Sequence, residues 1–141
     1  MIELYNIANW LYRADKKMNH LLIRDLDKTV KASADANRIR ILCMLQDKKM
    51  CVCEIAFVLN IAQPSVSRHL KKLKAAGFIS SENEGLWTNY YLCPQNSYAK
   101  NFIRNLNSWI ISDEIIAQDK KKADKADREK LCCPPAPLKK E

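Results

Sequence analysis

Only two of the 141 residues are glycines, Gly77 and Gly85, and both fall where the backbone must take a conformation that other residues resist. Before Gly77, Val66, Leu70 and Leu73 repeat at helical spacing, and Pro64 sits in the first turn, where its missing N–H costs nothing. A helix over 63–76 is expected, ended by Gly77. Gly85 parts 78–82 from 86–92, two runs rich in strand formers, and so predicts a hairpin. A shorter helix is expected from about Cys51 to Leu59, with Asn60 where a tight turn tolerates a left-handed residue. Helix–turn–helix followed directly by a β-hairpin is the order of a winged helix-turn-helix, a mainly α fold with a hairpin wing.

Upstream, Asp35 is placed to cap a helix burying Ile39, Leu42, Cys43 and Leu45, which Lys48-Lys49 should end. Residues 3–13, and a second pattern through Leu22, Leu26 and Val30, predict two short helices before it. Downstream, one long helix is expected over 97–116. Its Phe102, Ile103, Leu106, Trp109, Ile110 and Ile116 make an apolar face wider than one small domain needs, which points to a homodimer. From Asp119 to Lys130 nearly every residue is Lys, Asp, Ala, Arg or Glu, the composition of a solvated helical extension or a disordered tail. The expected division is a DNA-binding and dimerisation domain over 1–118 and a charged tail over 119–141 that ends in a Cys-Cys-Pro-Pro segment.

The net charge of +8 favours a polyanionic partner, although lysine-rich tails inflate such a total. Local distribution says more. No acidic residue lies between Glu54 and Glu82, while Arg68, Lys71, Lys72 and Lys74 fall inside that window, as a face lying along phosphates requires. The opening Met1-Ile2-Glu3-Leu4 does not resemble a signal segment, and no run approaches a membrane span, so a cytoplasmic protein with no membrane partner is expected. Six cysteines in that compartment read as reduced thiols for metal or redox chemistry. No positioned nucleophile, base and acid appear together, so no enzyme is expected.

Cys51-Val52-Cys53-Glu54-Ile55-Ala56, then Gln63-Pro64-Ser65-Val66-Ser67-Arg68-His69-Leu70, then Ala76-Gly77-Phe78-Ile79 and a wing ending Tyr90-Tyr91-Leu92 resemble the ArsR/SmtB family of winged-helix metalloregulatory repressors. The resemblance covers about residues 25–112, and the Cys-Val-Cys pair is similar to its arsenic-sensing branch. It implies a dimer on double-stranded operator DNA that lets go when trivalent arsenic or antimony binds. Ser67 and Arg68 match positions that enter the major groove, with Gln63 and Ser65 as further base or phosphate contacts and Lys71 and Lys72 on the basic flank. His69 is expected to support packing. The wing departs from the pattern, because Glu82, Asn83 and Glu84 stand where basic residues are usual.

Residues two apart on a regular helix point to different sides, so Cys51 and Cys53 as helical residues would clasp one ion only after local unwinding. The helix dipole should lower their thiol pKa, and sulfur ligands select thiophilic ions. The usual third cysteine of the branch is Ala56 here. Cys43 and Cys93 suit packing. Cys132 and Cys133 lie far enough along the tail, on the order of 20 Å of flexible chain, to fold back as ligands, to form a separate two-thiol site for a methylarsenical, or to do nothing. A cadmium or lead site using N-terminal cysteines is disfavoured, since residues 1–42 contain none, and the zinc site of the family has no counterpart. The expected inducer is arsenite, antimonite or methylarsenite, with no organic cofactor. A thiol redox-responsive or cadmium/lead-responsive regulator of the same fold is the alternative.

Overall fold

A computed structural model describes residues 23–131. The expected helix over 3–13, and Cys132 and Cys133, lie outside the described residues. The elements run α1 (Ile23–Ser33), α2 (Ala36–Leu45), β1 (Met50–Cys51), α3 (Val52–Leu59), α4 (Gln63–Ala75), β2 (Ile79–Glu84), β3 (Trp87–Leu92), α5 (Ser97–Ile110), α6 (Glu114–Lys125) and α7 (Arg128–Leu131). The three strands form an antiparallel sheet in the order β1-β3-β2. No helix among the described residues is long and apolar enough to cross a membrane.

Helix α2 is the central one, because Ile41, Leu42, Cys43, Met44 and Leu45 are all buried and leave no solvated stripe. Its start is fixed as expected: the Asp35 side chain accepts from Arg38 N at 3.0 Å. Helix α4 buries Val66, Leu70 and Leu73 and nothing else along its length. It ends in a Schellman motif, with Phe78 N donating to Leu73 O and Gly77 N to Lys74 O, both at 3.1 Å, and Gly77 at φ +78°. Gly77 also lies against the strand exit: its carbonyl accepts from Gln95 N at 2.8 Å, and a Cβ there would come within 3.2 Å of Gln95 Cβ. Gly85, at φ +59°, is the first of two loop residues between the paired Glu84 and Trp87, the place a type II′ hairpin reserves for glycine. The wing is therefore the expected one.

Three expectations are corrected. Cys51 is not helical. Met50 and Cys51 pair with Tyr90 and Asn89 of β3, and Cys51 caps α3 from an extended backbone at φ −90°, ψ 168°. The helix expected over 97–116 breaks at Ile111–Asp113, where Asp113 starts α6 by accepting from Ile116 N at 3.1 Å. The charged segment from Asp119 is helical but not freely solvated, because α6 doubles back onto α2 and α3. Asp119 is buried and accepts two bonds from Arg40, Nε to Oδ2 at 2.7 Å and the second guanidinium nitrogen to Oδ1 at 2.8 Å. Ala123 is buried too, and its carbonyl accepts from Lys48 Nζ at 2.6 Å.

Candidate nucleic-acid interface and thiol site

Helix α4 turns its apolar stripe inward, which sends every residue proposed to meet DNA outward. Gln63, Ser67, Arg68, Lys71 and Lys72 are exposed and Ser65 is half-buried. The Arg68 guanidinium donates to Ser65 Oγ at 3.1 Å, one turn back, so it lies along the helix surface near its N-terminal end. Lys74 instead donates to Ser81 Oγ at 2.8 Å and ties α4 to the first wing strand. His69 is half-buried beside Arg38, Nδ1 at 3.4 Å from its guanidinium, and so is a packing residue. Arg38 is itself buried and holds the end of α1 by donating to Ala32 O at 2.5 Å and Lys31 O at 3.2 Å.

The acidic residues of the wing have partners within the chain. Glu82 receives Lys49 Nζ at 2.6 Å, and that ammonium also lies over the Tyr91 ring. Glu84 receives Asn89 Nδ2 and Arg128, the latter at 3.4 Å. Both negative charges at the wing are thereby offset before any polyanion approaches.

Cys51 and Cys53 both stand at the N-terminal end of α3. Cys51 and Glu54 form a capping box, in which the sulfur accepts from Glu54 N while Glu54 Oε1 accepts from Cys51 N at 3.0 Å. Because Cys51 is the extended cap and Cys53 lies in the first turn, the opposed directions expected of two helical residues do not apply here. Cys51 is 2% exposed, and burial pushes its thiol pKa up, the Glu54 N–H acting the other way. The helix-dipole expectation of a lowered value is thus overturned for Cys51, since desolvation of a thiolate outweighs the first-turn dipole. Cys53 is half-buried and disulfide-bonded, whereas Cys43, Cys51 and Cys93 are thiols. Cys43 is buried in the core, and its pKa is pushed up to about 11 by that burial, so the thiol keeps its proton at neutral pH. Cys93 follows β3 and receives Gln95 Nε2. Among the described residues, no three His, Cys, Asp or Glu side chains converge on a common point.

Glu54 is buried and has a second partner: Arg128 of α7 donates to the same Oε1 at 3.2 Å. The Arg128 guanidinium also lies 5.3 Å from the centre of the Trp87 ring on the wing. One side chain from the chain's far end therefore touches both the capping box of α3 and the wing. Sequence reasoning missed Glu54, Trp87 and Arg128. The spacing of Glu54 three residues after Cys51 is a capping-box signal, but Arg128 had no local signal.

The sequence model described as bacterial regulatory protein, arsR family, matches residues 35–81, from the Asp35 cap to the first wing strand. The arsenic resistance transcriptional regulator ArsR1 of Pseudomonas putida is 31% identical over 91 residues, which cover 60% of this chain and 71% of that protein. The chain belongs to the ArsR family. A further ArsR-family relative, the arsenical resistance operon repressor of Bacillus subtilis, is 38% identical over 72 residues, 50% of this chain and 69% of its own. Among solved structures, HlyU from Vibrio cholerae superposes with a TM-score of 0.58 at 27% identity, covering 66% of this chain and 99% of that one. Relatives named as cadmium resistance and SmtB-type regulators match as well. As an ArsR-family protein with a winged helix-turn-helix, this chain is a DNA-binding transcriptional repressor and not an enzyme. The ArsR-family match stops at residue 81, so Trp87 and Arg128 lie beyond it.

Proposed function

We propose that this repressor works in the cytoplasm as a homodimer on an inverted-repeat operator and releases it when trivalent arsenic or antimony binds Cys51 and Cys53. Two α4 helices would enter successive major grooves about 34 Å apart on one face of the DNA. Arg68 and Ser67 would read base edges, Gln63 and Ser65 would set the helix start against base or phosphate, and Lys71 and Lys72 would neutralise phosphates. Dimerisation is supported by apolar side chains left exposed on α1 and near the end of α5, Leu26, Val30 and Trp109 among them.

The observation that carries the inducer reading is that Cys51 is the helix cap of α3 and Cys53 lies in its first turn. An ion taking the Cys51 sulfur removes it from Glu54 N, and losing such a cap costs a helix about 1 kcal/mol. Since α3 seats α4, that loss is delivered to the DNA-reading helix. The ion shifts the equilibrium only as far as it prefers the DNA-incompetent state.

Burial of Cys51 also discriminates between ions. Arsenite and two thiols exchange to a neutral arsenic dithiolate that keeps one hydroxyl, and two waters leave, with no net proton or charge change. Cadmium and two thiols release two protons, which a buried thiol gives up at greater cost. The arsenic complex therefore suits Cys51, 2% exposed, better than the cadmium one.

The test is a titration of operator-bound protein with arsenite, antimonite, methylarsenite, cadmium and zinc in parallel, repeated with Cys51→Ser and Cys53→Ser. Both variants should hold the operator and ignore arsenite. Release by arsenite at an unchanged concentration in either variant rejects the site. A redox reading that involves Cys53 is favoured by one observation, its disulfide, while Cys51 is a thiol. In that reading two thiols give two electrons and two protons to a peroxide, which leaves as alcohol and water, and peroxide alone would then empty the operator in arsenic-free protein.

A further inference from the structure

A groove of about 370 Å³ separates α1 from the second half of α4. It is lined by Lys28 and Lys31 of α1, Arg38 of α2 and Lys72 of α4, with alanines between them. The stripes of α1 explain this composition. Thr29, Ala32 and Ser33 are its buried residues. On one flank Ile23, Leu26 and Val30 are exposed and apolar, the surface offered above to a second subunit. On the other flank Arg24, Lys28 and Lys31 repeat at i, i+4 and i+7 and are exposed. Arg38 fixes the two walls of the groove relative to each other, because its guanidinium donates to Lys31 O and Ala32 O at the end of α1 and lies 3.4 Å from His69 Nδ1 on α4. Two carboxylates stand nearby. Asp27 pairs with Lys31 at 3.0 Å, an exposed contact of the kind that contributes little and is readily exchanged, and Asp35 lies 3.8 Å from Arg38. Among the described residues no carboxylate pairs with the ammonium of Lys28 or Lys72.

We infer that this groove is a second phosphate-binding surface, in which Lys28 and Lys31 of α1 act with Lys72 to take the sugar–phosphate backbone bordering the major groove that α4 enters. This rests on α4 being the DNA-reading helix and adds to it a helix, α1, that lies outside the matched segment 35–81. Continuity and charge identify the occupant. Lys72 stands one turn after Arg68, so the groove opens beside the residues proposed to read bases, and a strand leaving them meets the lysines of α1 next. A duplex carries one negative charge per roughly 1.7 Å of its axis, and each ammonium that meets a phosphate releases a counterion. The alanines leave room for a nucleotide backbone that larger side chains would hold off. Arg38, being buried, adds a positive charge that salt screens less than a surface one. Phosphates carry no sequence information, so the groove sets grip and register and leaves base choice to α4.

Two measurements on the full chain test this. In the first, operator and random duplexes are titrated over a series of salt concentrations with wild type, Lys28→Gln, Lys31→Gln and the double variant. Lys28→Gln should flatten the slope of log affinity against log salt by about 0.9 per subunit, and Lys31→Gln by less, because that ammonium must leave Asp27 to meet a phosphate. The double variant should bind both duplexes roughly tenfold or more weaker, with the ratio between them unchanged. Its thermal midpoint should match wild type, since both side chains are exposed. An unchanged slope in the double variant overturns the inference and leaves the groove to some other anion. A loss confined to the operator overturns it as well, because a phosphate contact cannot tell the two duplexes apart. In the second, ethylation interference maps the phosphates that matter. Wild type should be blocked by ethylation at phosphates flanking the bases read by α4, and those positions should cease to matter in the double variant; identical patterns overturn the inference. Arg68→Ala checks the reading helix separately. Full base preference in that variant, with the flanking phosphates still lost in the double variant, sinks the assignment of Arg68 and leaves the groove standing.

Discussion

The two helices of the helix–turn–helix are held in opposite ways. Helix α4 is seated by three fully buried aliphatic side chains, Val66, Leu70 and Leu73, and its outer face carries basic groups with almost no acidic partner nearby. The N-terminal end of α3 is held by polar contacts, a sulfur cap, the Glu54 carboxylate and an arginine from 74 residues away. Apolar burial is lost only by unfolding, whereas a polar contact can be traded for another at small net cost. On the proposed function, DNA would be read from the rigid helix, and change would enter through the exchangeable end.

That contrast can be broken most directly at Leu70. Leu70→Ala should destabilise the fold by about 3 kcal/mol, seen as a lower denaturation midpoint with the whole domain unfolding together. A midpoint shift confined to DNA affinity would show that α4 is not a core helix. Removing Asp119 strands Arg40, which is only about a quarter exposed, so Asp119→Ala should also cost roughly 3 kcal/mol. Proteolysis should then free α6 while the wing and α4 stay protected.

Smaller effects should separate the two helices. Arg68→Ala is expected to weaken operator binding by about 1–3 kcal/mol, with no change in thermal midpoint and relaxed preference at one base pair. Lys71→Ala should weaken all sequences equally and reduce the salt slope by about one. Affinity for arsenite should be nearly flat between about pH 6 and 8, while that for cadmium should rise with pH as fewer thiol protons remain to be displaced. Identical pH profiles would contradict the charge argument for a buried site. The smallest signal is chemical: Cys43, its pKa pushed up to about 11, should stay unalkylated in native protein at neutral pH, since its thiol holds its proton until the solution approaches that value.

What could be read from the sequence follows the range of the interactions. Helix α4 and the wing were legible because a 3.6-residue stripe, Pro64, Gly77 and Gly85 are local signals. The capping residues Asp35 and Asn60 were legible for the same reason. Cys51 was misread as helical because its extended conformation is set by pairing with Asn89, thirty-eight residues away, which no local pattern encodes. The break after Ile110 was hidden by apolar residues that continue on helical spacing through Ile116, although Ser112-Asp113 carries a cap signal that outweighs them in the structure. The charged segment looked solvated because only Asp119 and Ala123 of its twelve residues, 119–130, turn fully inward, and one of those is a carboxylate whose partner lies 79 positions back. At the site, the paired cysteines and the basic face were visible, but the arginine that joins cap to wing was not.

The return of α6 and α7 to the start of α3 has a consequence for dose. A group tethered to a docked helix meets its target at a local concentration in the millimolar range, set by the geometry of the tether and indifferent to how many molecules the cell contains. Contacts such as Arg128 with Glu54 form in every copy of the chain, whether the cell holds ten or ten thousand. A response threshold built on that segment would follow the ion and not the abundance of the repressor.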